Sequence, residues 1–422
     1  MLNQLPLQTY LGILAASLQS SAAAMLNLRA GLLNLNPKLQ AEGEALQAKL
    51  QQINPVDLQK ELNAQIAEKF NSFIKTIPIL CNDLNEYIRP ATTAPIIWQE
   101  GSTCLYQYKG REEGKRDEGI KKENSLPYSL TLLLPSCPIL IIPSLINRHY
   151  ILDLEESNSF VKYLAGNGMD IYLAAWNEPL QEELSFSMDD YISRVEKMID
   201  EIYEKTQKKV VLTGYCMGGL LSLAAALGKS DKLSAIAFLA TPWDFHTGNF
   251  PRFIFDKGNL QIAELSLENY SKIPASFLQA IFYYMYPNLI GHKFEMYPLL
   301  NSGHYSKEEF LAIEHWVNDG ISMTKNVAKT CFIDWVHNNN VAKLTWKVQG
   351  RLVNPAELAD LPAFFAIPKK DNIVPYPCAL PLTKYFTNSK VIEPNSGHVG
   401  MLAGTSAKAQ TWEPFLKWVE NL

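Results

Sequence analysis

The feature that most constrains this chain is a short apolar segment that runs directly into a glycine-rich turn. Residues 209–213 (Lys-Val-Val-Leu-Thr) have the length and composition of a buried strand, and residues 214–219 are Gly-Tyr-Cys-Met-Gly-Gly. Cys216 therefore has Gly214 two positions before it and Gly218 two positions after it. A side chain at either glycine would clash in a sharp strand-to-helix turn, so the pattern predicts such a turn with Cys216 at its tip.

A cysteine at the tip of this turn has the surroundings of a nucleophile. The turn points the sulfur at the N-terminus of the following helix, whose free amides and dipole favour a thiolate. Gly219 lets that helix pack closely on the sheet. We interpret Cys216 as a catalytic nucleophile; the alternative is an inert buried cysteine in a glycine-rich turn.

Such a nucleophile needs a histidine base and an acid that orients it, in the chain order nucleophile, acid, histidine. Six histidines follow Cys216, and only His398 lies in a loop of small residues just after a late strand. Asp371 directly follows another apolar strand candidate, where this arrangement supplies its acid. Asp334 and Asp360 are poorer candidates because neither closes a strand. The sequence therefore predicts a triad of Cys216, Asp371 and His398.

An oxyanion hole is expected from two backbone amides. The first is the N–H of Met217, the residue after the nucleophile. The second comes from the loop that follows an earlier apolar strand at residues 139–142, and we place it near Ser144 or Leu145.

Short apolar segments alternate with helical patterns along most of the chain, which predicts a mostly parallel central sheet with helices on both faces. Together with the turn at Cys216, this is the α/β-hydrolase fold. Hydrophobic residues make up 47% of the chain, enough for a sizeable core. The predicted strands are residues 104–108, 130–134, 139–142, 170–176, 209–213, 235–240, 363–367 and 389–393, and the predicted helices are residues 157–167, 188–208, 220–227 and 413–422.

We place the catalytic domain at residues 95–422. Two regions of the chain, one before this domain and one inserted in it, differ in composition from the alternating strands and helices. Residues 1–94 are rich in Ala, Leu, Gln, Glu and Lys and predict a helical N-terminal extension. Its role stays open between a packed extension and a surface that docks a partner or a hydrophobic granule. Residues 247–345 are rich in aromatics and mostly helical in pattern, which predicts a helical cap insertion.

Charge and composition exclude several classes of function. A net charge of -5 gives no basic stripe for nucleic acid. Six scattered cysteines favour a reducing compartment over a disulfide framework. The apolar stretch at residues 11–28 is broken by polar residues, so we expect no transmembrane segment. We expect a cytoplasmic location. No clustered Cys/His site is present, so no metal is expected.

Seven blocks of the sequence, in order, resemble the catalytic domain of the polyhydroxyalkanoate synthases, which include the poly(3-hydroxybutyrate) enzymes. The resemblance covers roughly residues 95–422. One departure is Asn372, which stands where the family usually has a histidine after its acid. The blocks are Pro-Ser-Leu-Ile-Asn-Arg-His-Tyr-Ile-Leu-Asp-Leu at 143–154, Asn-Ser-Phe-Val-Lys-Tyr-Leu at 158–164, Trp-Asn-Glu-Pro at 176–179, Met-Asp-Asp-Tyr-Ile at 188–192, Gly-Tyr-Cys-Met-Gly-Gly at 214–219, Asp-Asn-Ile-Val-Pro at 371–375 and Ser-Gly-His at 396–398.

The resemblance implies an enzyme that takes 3-hydroxyacyl groups from coenzyme A and joins them into polyester through an acyl-Cys216 intermediate. No cofactor is implied, since coenzyme A is the handle of the substrate. Location at the surface of polyester granules, a homodimer, a second synthase subunit and a granule protein partner all remain open. Arg148 either meets the phosphates of coenzyme A or is a solvated surface residue.

Two other functions are compatible with the same residues. One is a thiol esterase or polyester depolymerase of the same fold, which would release free hydroxy acid. The other is a catalytically inactive scaffold or granule-coating protein that uses its N-terminal helices.

Overall fold

The computed structural model describes residues 7–35, 40–110, 137–247, 268–285, 297–300 and 306–422. The predicted strand at 130–134 and much of the predicted cap (248–267, 286–296 and 301–305) lie outside these ranges. The chain forms two compact units. One comprises Met1–Ile88 with Ser276–Asn318, and the other comprises Arg89–Ala275 with Asp319–Leu422.

The strands of the described residues all belong to the larger unit. They are β1 (Ile96–Glu100), β2 (Thr103–Tyr108), β3 (Ile139–Ile142), β4 (Ile171–Ala175), β5 (Val210–Tyr215), β6 (Leu233–Leu239), β7 (Lys272–Ile273), β8 (Met323–Thr324), β9 (Lys347–Val348), β10 (Arg351–Leu352), β11 (Ala363–Ala366) and β12 (Ser389–Ile392).

An eight-stranded sheet in the order β1-β2-β4-β3-β5-β6-β11-β12 forms the centre of this unit. The pairs β1–β2 and β2–β4 are antiparallel, and all other neighbours are parallel. Every residue of β5 is buried, and Gly214 pairs with Ile142 on one side and Phe238 on the other. Because β5 is a central strand, the residue that follows its carboxyl end lies in the middle of the sheet edge, where α/β sheets carry their sites.

Both units contain helices. They are α1 (Leu7–Arg29), α2 (Gln40–Gln51), α3 (Pro55–Glu86), α4 (Phe160–Gly166), α5 (Met188–Thr206), α6 (Met217–Lys229), α7 (Ala275–Met285), α8 (Lys307–Asn318), α9 (Lys325–Lys329), α10 (Tyr376–Ala379), α11 (Gly400–Ala403) and α12 (Glu413–Val419), with short 3-10 segments at His149–Leu152, Gln181–Glu183, Ser230–Lys232, Tyr297–Leu299, Pro355–Leu358 and Leu380–Tyr385 and π-helical segments at Thr330–His337 and Lys408–Trp412.

The fold class predicted from the sequence is confirmed: a mostly parallel sheet with helices, preceded by helices at residues 7–86. The predicted strands that lie within the described residues match observed ones to within one or two residues at each end. Strand β1 was not predicted, because its apolar residues Ile96, Ile97 and Trp98 are followed by polar Gln99 and Glu100 and form neither an alternating nor a continuous apolar pattern. Within the described part of the chain, no helix combines the length and the apolarity needed to cross a bilayer.

The predicted cap at residues 247–345 divides between the two units. Ser276–Asn318 groups with the N-terminal helices, whereas residues 319–345 belong to the larger unit. Covering of the catalytic site by this insertion stays a prediction.

Helix α3 carries the core of the smaller unit. Its start is fixed by Asn54, whose side chain accepts a hydrogen bond from the Val56 N–H at 2.8 Å, and by Pro55 at the first helical position. Its apolar face is buried with side chains from α1 and α8 and from the segment at 297–300. The buried members of this cluster are Leu14, Phe73, Leu80, Leu84, Tyr297 and Leu311.

Two adjacent residues of α3 provide a test of this core. Phe73 is 1% exposed and Ile74 is 54% exposed. We expect Phe73→Ala to destabilise the smaller unit by about 3–5 kcal/mol, because it removes a fully buried ring and leaves a cavity. Ile74→Ala, the matched control, should stay within about 0.5 kcal/mol. Hydrogen exchange of the α3 amides measures both, and equal exchange in the two variants would contradict this packing.

Candidate active site

Cys216 lies between β5 and α6 in a conformation that non-glycine residues rarely adopt, with φ 55° and ψ -128°. The turn is held from both sides: the Cys216 N–H donates to the Leu239 carbonyl at 2.8 Å, and the Gly219 N–H donates to the Cys216 carbonyl at 3.0 Å. Strain of this kind costs on the order of 1–3 kcal/mol and persists only where the surroundings over-determine it. The backbone conformation thus fixes the orientation of the Cys216 side chain.

The three glycines around Cys216 leave no room for a methyl group. A Cβ on Gly214 would lie 2.3 Å from the Gly219 Cα, and a Cβ on Gly219 would lie 2.0 Å from the Thr241 hydroxyl. A Cβ on Gly218 would lie 2.1 Å from the Ile142 carbonyl oxygen. The close approach of α6 to β3 and β6 therefore depends on these positions.

His398 and Asp371 lie together at the edge formed by the last two strands of the sheet. The His398 Nδ1 and Asp371 Oδ2 atoms are 2.6 Å apart. The other carboxylate oxygen of Asp371 accepts hydrogen bonds at 2.8 Å from the N–H groups of Ile373 and Val374. Two backbone amides thus fix the carboxylate, and the carboxylate fixes the imidazole.

The opposite side of the imidazole meets the nucleophile. The Cys216 sulfur lies close enough to the His398 ring to raise the pKa of the imidazole. With Nδ1 engaged by Asp371, Nε2 is the ring nitrogen available to the sulfur. The structure thus brings the three predicted residues Cys216, His398 and Asp371 together at one site.

The charge state of His398 is set by competing effects. Burial disfavours the imidazolium, but the Asp371 carboxylate and the Cys216 sulfur together raise the pKa of His398 well above its ordinary value. The site therefore favours a protonated imidazole beside the sulfur.

The predicted oxyanion residues border the same turn. Among the described residues, the backbone N–H groups of Met217, Ser144 and Leu145 donate no hydrogen bond to the protein. The Ser144 hydroxyl lies 3.9 Å from the Met217 sulfur, and the start of the loop touches α6 at Gly218. Amides left unpaired beside a nucleophile are the donors that an oxyanion hole requires.

Two neighbours of the site were not predicted from the sequence. The Tyr215 ring lies 5.2 Å from the His398 ring, and its hydroxyl donates to the His398 carbonyl at 3.3 Å. Cys331, in the π-helical segment, is buried, and burial together with nearby Asp334 and Cys216 raises its pKa well above the ordinary value of a thiol. Tyr215 could have been suspected from its place next to the nucleophile, whereas no local pattern marks Cys331.

Other side chains of the site are not arranged for metal binding. In the part of the chain that the structure describes, no group of three or more His, Cys, Asp and Glu residues could hold a metal ion. Asn372 follows Asp371, and among the described residues the hydrogen-bond partner of the His398 Nδ1 atom is Asp371, not Asn372.

The glycine requirement can be tested at Gly218. We expect Gly218→Ala to destabilise the larger unit by about 1–3 kcal/mol, because a methyl group must push α6 away from the Ile142 and Pro143 carbonyls. Gly166→Ala is the control: it lies on α4 with nothing within 4 Å and should stabilise by about 0.5–1 kcal/mol. Denaturant titration measures both, and a neutral Gly218→Ala would contradict the packing.

The charge on His398 can be tested by NMR titration of labelled histidine. We expect Asp371→Asn to lower the pKa of His398, because it removes the carboxylate that holds the proton. Since the folded pKa lies above the unfolded value of about 6.5, the pair stabilises the fold fully below that value, and this contribution is lost as pH rises through the folded pKa. The exposed-site variant Asp360→Asn should leave the His398 titration unchanged; an unchanged curve in Asp371→Asn would refute the coupling.

Comparison with known proteins agrees with the fold. The α/β hydrolase fold family model matches residues 168–405, more than half of the chain. A second family model, the N-terminus of poly-beta-hydroxybutyrate polymerase (PhaC), matches residues 129–164. Among solved structures, a thioesterase domain from the curacin biosynthetic pathway gives a TM-score of 0.45 at 13% identity, covering 79% of this chain and 100% of that one, a level that says nothing about substrate.

The curated relatives are poly(3-hydroxyalkanoate) polymerase subunits. The PhaC subunit of Haloarcula marismortui is 25% identical over 78% of this chain and 67% of its own length, and that of Allochromatium vinosum is 28% identical over 77% of this chain and 87% of its own length. The subunit of Haloferax mediterranei is matched over 63% of its length, so the chain spans about two thirds of the length of the Haloarcula and Haloferax relatives. The chain therefore belongs to the α/β-hydrolase fold family, and its resemblance within that family to the polyhydroxyalkanoate synthases is confirmed.

Proposed function

We propose that this protein is a polyhydroxyalkanoate synthase-type acyltransferase, which moves 3-hydroxyacyl groups from coenzyme A through an acyl-Cys216 intermediate to a growing polyester. The observation that carries the proposal is the His398–Asp371 pair beside Cys216, whose strained turn presents the sulfur at the sheet edge. It is supported by relatives whose names are those of poly(3-hydroxyalkanoate) polymerases.

The first step is the exchange of one thioester for another. The Cys216 sulfur attacks the thioester carbonyl, and the negative charge on the carbonyl oxygen is stabilised by the unpaired amides near Met217 and Ser144. The carbon–sulfur bond to coenzyme A then breaks. The proton of the Cys216 thiol, held on His398, passes to the departing thiolate, so that the products are acyl-Cys216 and coenzyme A.

The second step transfers the acyl group to an oxygen. The hydroxyl of another 3-hydroxyacyl unit gives its proton to His398 and attacks the acyl-Cys216 carbonyl, and the Cys216 sulfur leaves and recovers a proton. An ester bond forms as the thioester breaks. Asp371 keeps the imidazole in one orientation throughout, because two amides hold its other oxygen.

No cofactor or metal takes part in this scheme, and coenzyme A enters only as the carrier of the acyl group. The N-terminal helices are proposed as the region that meets a granule surface or a partner subunit. Several apolar side chains of these helices are exposed, among them Val56, Ile74 and Ile79. Water must be kept from acyl-Cys216 for transfer to exceed hydrolysis, and the predicted cap is the proposed barrier.

Incubation of the purified protein with 3-hydroxybutyryl-coenzyme A tests the proposal. We expect release of coenzyme A together with insoluble polyester, and a protein mass that carries hydroxyacyl groups on Cys216. Cys216→Ala should abolish both, because no other residue of the scheme can form the covalent intermediate.

Three outcomes would contradict the proposal. Release of coenzyme A with only free hydroxy acid would indicate a hydrolase of the same fold. Polymer formation that survives Cys216→Ala would exclude the acyl-cysteine route. Absence of any acylation, with granule binding that is unaffected by Cys216→Ala, would indicate a scaffold.

A further inference from the structure

The loop that follows β3 is tied to two distant segments of the larger unit by a single guanidinium. Arg148 donates from Nε to Asp319 at 3.2 Å and from Nη1 to the Asn177 side-chain oxygen at 2.9 Å. Its side chain is only 26% exposed, so it is not the solvated surface arginine that its sequence context allows. An arginine with fixed partners in two directions acts as a cross-link.

A backbone bridge reinforces this cross-link on the Asp319 side. Asn147 pairs with Gly320 in an isolated antiparallel bridge, and the Ile321 N–H donates to the Ile146 carbonyl at 2.9 Å. The second oxygen of Asp319 accepts a hydrogen bond from the Tyr150 hydroxyl at 3.0 Å. Both carboxylate oxygens are thus engaged by residues that adjoin the loop.

The other end of the same loop rests on the turn of the nucleophile. A Cβ on Gly218 would meet the Ile142 and Pro143 carbonyl oxygens at 2.1 and 2.7 Å, so the backbones are in direct contact. The Trp176 indole N–H donates to the Pro143 carbonyl at 3.0 Å. The unpaired amides of Ser144 and Leu145 therefore lie between two anchored ends, at Pro143 and at Arg148.

We propose that Arg148 is a positioning residue, whose bonds to Asp319 and Asn177 hold the Ser144–Leu145 amides in the place where the thioester oxygen becomes negative. This inference rests on the proposed acyl transfer through Cys216. It assigns to Arg148 no contact with substrate, in contrast to a role in binding the phosphates of coenzyme A.

The size of the expected effect follows from what an oxyanion donor contributes. Loss of one donor costs on the order of 100- to 1,000-fold in rate, and a shift of about 1 Å can cost about 100-fold. Arg148 acts on the donor through the loop, and the Asn147–Gly320 bridge remains when its side chain is removed. We therefore expect a loss of roughly 10- to 100-fold in acylation for Arg148→Ala.

The experiment compares two reactions of the same sulfur in the full chain. Single-turnover acylation by 3-hydroxybutyryl-coenzyme A develops a charged oxygen, whereas alkylation by iodoacetamide does not. Both are followed by mass spectrometry of the peptide that contains Cys216. For Arg148→Ala, Arg148→Lys and Asp319→Asn we expect slower acylation at saturating thioester, an unchanged half-saturating concentration and an unchanged alkylation rate. Arg148→Lys should lose less than Arg148→Ala, because an ammonium can keep one of the two partners.

A matched control and a second substrate separate the alternatives. Arg351→Ala removes another paired arginine, whose partner is Glu357, and should change neither reaction. The N-acetylcysteamine thioester of 3-hydroxybutyrate lacks phosphates, and we expect the same fold-loss with it as with the coenzyme A thioester. A loss confined to the coenzyme A thioester would overturn the inference in favour of phosphate binding.

Other results also decide the question. Equal losses of acylation and alkylation in every variant would indicate general disruption of the site and overturn the inference. The inference would also be overturned if all three variants were acylated as fast as the natural sequence. Failure of the natural sequence itself to acylate Cys216 would instead defeat the proposed function, so the two failures are distinguishable.

Discussion

The left-handed turn at Cys216 is the constraint on which the rest of the site depends. A residue with φ 55° and a side chain is unfavourable by itself, and here it is flanked by a buried strand and a helix that approach to within backbone contact. Three positions without side chains make this approach sterically allowed. The strained backbone of this turn fixes the direction of the Cys216 side chain. The His398 imidazole and the loop after β3 lie around the sulfur in that position.

Much of this arrangement follows from local sequence, and the reasons are physical. A buried parallel strand must be apolar on both faces, so β3, β4, β5, β6 and β11 can be found from short apolar segments. The carboxyl ends of parallel strands share one edge, which allowed Asp371 and His398 to be proposed as neighbours of Cys216 from chain order alone. Their contacts with one another are consistent with that expectation.

What sequence could not supply is pairing between distant segments. Arg148 and Asp319 are separated by 171 residues, and nothing beside either one indicates the other. Cys331 is close enough to Cys216 for that sulfur to raise the pKa of the Cys331 thiol, yet Cys331 lies in a π-helical segment with no recognisable motif. Strand β1 was missed for a different reason, since an edge strand with exposed polar residues lacks the apolar pattern of a core strand. The bounds of the cap region were set by composition, whereas the units are set by packing.

The order of strands in the sheet has a consequence for biosynthesis. Cys216 leaves the ribosome well before Asp371 and His398, because β11 and β12 follow the other described strands in the chain and add to the sheet beyond β6. A nascent chain that ends before these strands carries the thiol on its turn without the imidazole beside it. The acyl transfer that we propose at this sulfur therefore requires that β11 and β12 have first joined the sheet.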